Sequence, residues 1–128
     1  MLAVDTNILV RFFTHDQPDA TARAIRILQS PRVWVTKTVL LETEWVLRAV
    51  YELPSDRVAR ALRALAGLDN VEVEDPLQVS QALDAYDLGL DFADALHLAG
   101  AEGRQFVSFD DKFVKRARRA GFANVRLP

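Results

Sequence analysis

Apolar residues along the chain follow two periods. Short β-branched or aromatic runs at residues 2–4, 33–35, 71–73 and 106–107 read as strands, with residues 125–127 as a further edge strand. Between them, apolar positions recur every three or four residues. Residues 19–29 place Ala20, Ala24, Ile27 and Leu28 on one face, and residues 38–51 do the same with Val39, Thr43, Val46, Leu47 and Val50. A helix is expected after Pro54, capped by Ser55 or Asp56, carrying Val58, Ala61, Leu62 and Leu65 and stopping near Gly67. Pro76 opens another that ends at Gly89. Residues 92–101 are apolar nearly all round, which predicts a buried central helix, and residues 112–120 form a last helix stopped by Gly121. Strands alternating with helices predict an α/β protein, a three-layer α/β/α arrangement with a mainly parallel central sheet. At 128 residues, with no repeat, low-complexity tract or linker, the chain is expected to form one domain, residues 1–128.

Composition narrows the chemistry. The chain has no Cys, so thiolate nucleophiles, disulfides and Cys zinc sites are excluded, in keeping with a reducing compartment. An acid appears at position 5, too early for a secretory signal, and no apolar stretch is long enough for a membrane span, so a cytoplasmic protein is expected. The net charge of −2 hides an asymmetry: residues 104–128 hold seven Lys or Arg against two Asp, which leaves the first 103 residues at −7. The basic end reads either as a solvated helix face or as a contact for phosphate.

Four acids stand where apolar runs meet helical segments: Asp5, Glu42, Asp94 and Asp110. Any one of them has an ordinary explanation, whereas four in equivalent places on a doubly wound sheet would converge on one crevice and need a cation to offset their repulsion. Asp5 either caps a helix starting at Thr6 or Asn7 or serves as a ligand, with Asn7 offering a second oxygen or an orienting amide. Glu44 has Arg48 four residues on and reads as an exposed ion pair. Glu42 sits among Val39, Trp45 and Val46 without a basic residue at helical spacing, so its partner is either a metal or an Arg from another helix. Asp91 and Asp94 share a face at a helix start, where Asp91 reads as a cap and Asp94 as a ligand. Of Asp110 and Asp111, one caps the last helix, with Ser108 assisting, and Asp110, directly after the strand, is taken as the site residue. His97, one turn beyond Asp94, reads either as a hydrogen-bonded structural residue on a buried helix, the commoner case, or as a side chain reaching toward the site. Ser108 lacks the His and acid that a nucleophile needs, and no Gly-rich phosphate loop is present.

Taken in order, Val-Asp5-Thr-Asn-Ile-Leu, Val-Leu-Leu-Glu42-Thr-Glu-Trp-Val-Leu-Arg, Asp91-Phe-Ala-Asp94-Ala-Leu-His and Val-Ser108-Phe-Asp110-Asp-Lys-Phe resemble the PIN-domain family over nearly the whole chain, and most closely its VapC-type toxin ribonucleases. The resemblance implies a metal-dependent endoribonuclease in which Asp5, Glu42, Asp94 and Asp110 bind Mg²⁺ or Mn²⁺, with Asn7, Asp91 and Ser108 in supporting places. It implies RNA as substrate, a homodimer, and a cognate VapB-type antitoxin that blocks the acids with an inserted Arg or Lys. Hard oxygen donors agree with that choice of ion. Lys112, Lys115, Arg116 and Arg119 are candidates for holding the RNA backbone.

Two other readings remain open at this point. One is a housekeeping nuclease of the same family. The other is a phosphatase using Asp5 as a covalent nucleophile, as in haloacid-dehalogenase-like enzymes, whose Asp-x-Asp contrasts with Asp-Thr-Asn here.

Overall fold

The computed structural model describes all of residues 1–128. Secondary structure runs β1 (Leu2–Ala3), α1 (Thr6–Thr14), α2 (Pro18–Leu28), β2 (Val33–Val35), α3 (Lys37–Ala49), α4 (Ser55–Ala66), β3 (Val71–Val73), α5 (Pro76–Asp87), α6 (Phe92–Gly100), β4 (Phe106–Val107), α7 (Asp111–Arg119) and β5 (Val125–Arg126). The α/β class expected from the sequence is the one observed, and every strand pairing is parallel. No helix is long and apolar enough to cross a membrane. The chain folds as two compact units, residues 1–76 and 77–128.

In the first unit the sheet order is β1-β2-β3, with Leu2 opposite Val33, and Val33 and Val35 opposite Val71 and Val73. The alternation of Val33, Trp34 and Val35 sends both valines into the core, where they are fully buried, and leaves Trp34 only partly covered. Parallel neighbours require long crossovers, which the pairs α1–α2 and α3–α4 supply. Their buried faces, Leu9 and Val10, Ala24 and Leu28, Leu40 and Leu47, and Val58, Leu62 and Leu65, close the core. The periodicity placed Val39, Val46 and Val50 on the packed face of α3. In the structure that face is Leu40, Thr43, Glu44 and Leu47, while Val50 is exposed. Pro54, and neither Ser55 nor Asp56, occupies the N-cap of α4; its ring sets the extended backbone there but offers no side-chain bond. The end of α1 is tied to the chain after α3: Asp16 accepts from the Tyr51 hydroxyl at 2.7 Å, from Thr14 at 3.0 Å and from Arg11 at 3.2 Å. The Tyr51 bond is the main reason why the Asp16 carboxyl is held below its usual proton affinity.

In the second unit β4 and β5 pair in parallel, Phe106 opposite Val125. Phe106 meets Phe113 of α7 edge to face with centroids 5.8 Å apart, and Tyr86 of α5 meets Phe92 of α6 in the same way at 5.4 Å. Arg118 closes α7 onto β5 through a 2.9 Å bond to the Val125 carbonyl, and Gly121, at φ +100°, makes the left-handed turn that ends the helix. The expectation of a helix buried all round at residues 92–101 is corrected. Phe92, Ala95, Leu98 and Ala99 are buried, but Asp91, His97 and Gly100 are exposed and Asp94 is half-buried. The short side chains of Ala93 and Ala95, among others, make the segment look uniformly apolar, yet the polar residues recur every three positions and so collect on one face.

Candidate functional site

Three of the aspartates singled out by the sequence begin helices. Asp5 is the N-cap of α1 and accepts from the Thr6 amide at 2.8 Å. Asp91 is the N-cap of α6, accepting from the Asp94 amide at 3.4 Å. Asp110 is the N-cap of α7, accepting from the Phe113 amide at 3.0 Å, while Ser108 Oγ accepts from the Asp110 amide at 3.0 Å. A carboxylate in this position is favoured by the exposed N–H groups and the positive end of the helix dipole. Each cap bond uses one carboxylate oxygen and leaves the other for a second task. Asp111 is separately accounted for by its ion pair with Lys115, 3.0 Å away and exposed. Of the two neighbouring acids, Asp110 is the cap of α7 and Asp111 is the ion-pair partner of Lys115.

Within the first unit, the fold joins α1 to Glu42. The buried Thr6 hydroxyl donates to Glu42 Oε1, so Glu42 stands beside the residue that Asp5 caps. Sequence reasoning missed Thr6. Its signal is a β-branched polar residue one place after a strand-end acid, where a hydroxyl can be buried and still bonded. The roles assigned to Glu42 and Glu44 by exposure are reversed. Glu42 is exposed, and Glu44 is buried at 1% while keeping its 2.7 Å bond to Arg48. Arg48 carries its charge in from the solvent side, and that lets an acid lie on the packed face of α3. Asn7 is exposed and lines a groove of about 630 Å³ along α1 and α2, together with Ile8, Arg11, Arg23, Arg26 and Ile27.

Within the second unit, Asp94 holds its proton more tightly than an ordinary Asp. Burial is the first cause, followed by the repulsion of Asp91; the positive influence of His97 opposes this, and Asp110 adds to it. Asp91, Asp94, His97 and Asp110 thus share one electrostatic neighbourhood. His97 is exposed on the Asp94 face, which corrects its reading as a structural histidine on a buried helix. In neither unit do three or more His, Asp or Glu side chains form a group that could hold a metal ion as it stands. The donors themselves suit a hard divalent cation: they are carboxylate and amide oxygens, and the second unit carries a concentration of negative charge that such a cation would relieve.

The chain is an α/β protein with parallel strands and with three of its aspartates at helix starts. The chain is a member of the PIN-domain family, whose model matches residues 2–119 and so runs through both units. Its seven helices and parallel sheet are consistent with that family's three-layer fold. PIN domains are generally nucleases and typically use divalent metals. No curated relative matches the chain.

Proposed function

We propose that this protein is a Mg²⁺- or Mn²⁺-dependent endoribonuclease of the VapC type, the cytoplasmic toxin of a type II toxin–antitoxin pair, with residues 1–128 acting as a single catalytic domain. Asp5 and Glu42 of the first unit and Asp94 and Asp110 of the second are its metal-binding acids. The observation that carries this reading is the gathering of Asp91, Asp94 and Asp110 in one neighbourhood, where burial and mutual repulsion disfavour the ionised form of Asp94, in a chain whose family generally cuts nucleic acid.

Each residue has a definable task in this reading. Thr6 orients the Glu42 carboxylate by donating to it. Asp91 and Ser108 fix the backbone amides of Asp94 and Asp110, which sets where those two carboxylates begin. Asn7 supports the acids with a further oxygen or an orienting amide, and Lys112, Arg116 and Arg119, with Lys115 shared with Asp111, hold the RNA backbone through charge. Bound to the acids, the cation supplies Lewis acidity toward water and the phosphodiester. Binding of a homodimeric toxin by a VapB-type antitoxin would work by placing an Arg or Lys among the same acids, replacing cation charge with guanidinium or ammonium charge.

The test is cleavage of single-stranded RNA by the purified chain in Mg²⁺ or Mn²⁺ and in a chelator. Asp5→Asn and Asp94→Asn are expected to abolish metal-dependent cleavage with unchanged circular dichroism. Full activity in either variant rejects the assignment.

A further inference from the structure

The chain contains two Trp, two Tyr and seven Phe, and only Trp45, at 53%, and Phe109, at 91%, are exposed. Both lie beside candidate metal-binding acids, one in each unit. Trp45 follows Glu42 by three residues on α3, so the two share a helix face about 4.5 Å apart along the axis. Phe109 directly precedes Asp110 in the short connection that Ser108 closes by accepting from the Asp110 amide. The other nine aromatics are buried or half-buried, and six of them make edge-to-face pairs whose packing accounts for them. Packing accounts for neither Trp45 nor Phe109.

Resting on the nuclease reading above, we propose that Trp45 in the first unit and Phe109 in the second are each a stacking platform for a nucleobase of single-stranded RNA. Chemistry around the two rings favours a base over a protein surface. On α3 the neighbours of Trp45 at helical spacing are Leu41, Glu42, Arg48 and Ala49, and Phe109 is bracketed in sequence by Val107 and Ser108 on one side and by Asp110 and Asp111 on the other. A dry protein contact wide enough to cover either ring would also take a carboxylate out of water, at a cost that needs a matching cation. A nucleobase covers an area the size of the ring, keeps its polar edge wet, and stacks on any aromatic face irrespective of sequence. Stacking would also hold the sugar-phosphate chain near Glu42 and Asp110 without adding positive charge that competes with a metal ion.

The experiment uses the full-length chain and a ten-residue oligoadenylate. In a Trp34→Phe background Trp45 is the one indole, and its fluorescence should be quenched saturably by the oligonucleotide in the presence of a chelator, where no cleavage occurs. With Mg²⁺ or Mn²⁺, Trp45→Leu and Phe109→Leu should each lower kcat/KM about 5- to 150-fold, whereas Trp45→Phe and Phe109→Tyr retain most of it. Leu keeps the apolar surface and loses the ring, so a loss specific to Leu identifies stacking. If wild type cuts RNA and the Leu variants do so within twofold, the inference is overturned and the nuclease reading stands. Quenching by RNA in a chain that cuts nothing rejects the nuclease reading and leaves the platforms as an RNA-binding surface, whereas absence of both overturns the two together. Quenching that appears on raising protein concentration without RNA, with dimers seen by sedimentation, assigns Trp45 to a second copy of the chain and also overturns the inference.

Discussion

The Thr6 hydroxyl donates to Glu42 Oε1, which fastens the first residue of α1 to an exposed acid on α3. Thr6 itself is buried, so its side chain has little room to change partner. Replacing it by Val keeps the shape and removes the donor. Thr6→Val should lower the free energy of urea unfolding by about 1 kcal/mol, the ordinary worth of one such bond. It should also raise the Mg²⁺ or Mn²⁺ concentration for half-maximal cleavage by about 10- to 100-fold, with little change in rate at saturating metal. An unaltered metal dependence would detach Thr6 from the site.

Asp94 should make the apo protein sensitive to pH in the direction opposite to most carboxylates. Burial and the neighbouring Asp91 and Asp110 raise its proton affinity in the folded chain above the unfolded value. A group shifted this way contributes stability that is fully present below the unfolded pKa and lost as pH rises through the folded pKa. At neutral pH in a chelator, Asp94→Asn is therefore expected to melt at a higher temperature than wild type. The gain should shrink as pH falls through the carboxylate range. Adding Mg²⁺ or Mn²⁺ should raise the melting temperature of wild type and leave that of the variant nearly fixed; equal responses in both would remove Asp94 from the ligand set.

Glu44 and Arg48 test the fold apart from the chemistry. Glu44 is almost fully buried and Arg48 is 41% exposed, 2.7 Å apart. Removing the base takes a charged partner away from a buried acid on the packed face of α3. Breaking a fully buried pair costs about 3–5 kcal/mol, and the partial solvation of Arg48 should bring Arg48→Ala down to about 1–3 kcal/mol by urea denaturation. Glu44→Gln, which removes the buried charge, should restore part of that loss in the double variant. Cleavage per folded molecule should stay at the wild-type level in both.

Much of this architecture is legible in the residues. The strand runs are short, bounded and β-branched, and the helices after them carry strong start and stop signals such as Pro18, Pro76, Gly89 and Gly121, so element type and order follow directly. Helix α1 is the exception. It is foreshadowed only by Asp5 as a cap, because Phe12 and Phe13 blur its apolar stripe and leave both rings half-covered. Side-chain burial on α3 is not legible either, because Glu44 and Val50 exchange the places that hydropathy gives them, and the approach of Arg48 to Glu44 is an arrangement of side chains that hydropathy does not register. The Thr6–Glu42 bond joins positions 36 residues apart in sequence, a separation at which no local pattern carries information.

Asp5 and Asp110 hold their helices by the same carboxylates that the proposed chemistry uses, and Asp91 starts α6 in support of Asp94, which divides the acids by what inheritance would do to them. A descendant chain released from cutting RNA would still need Asp, Asn, Ser or Thr at positions 5, 91 and 110 to start three helices, so acids surviving there say little about whether the enzyme is alive. Glu42 and Asp94 begin no helix. Drift at those two positions would be the earlier mark of a silenced copy.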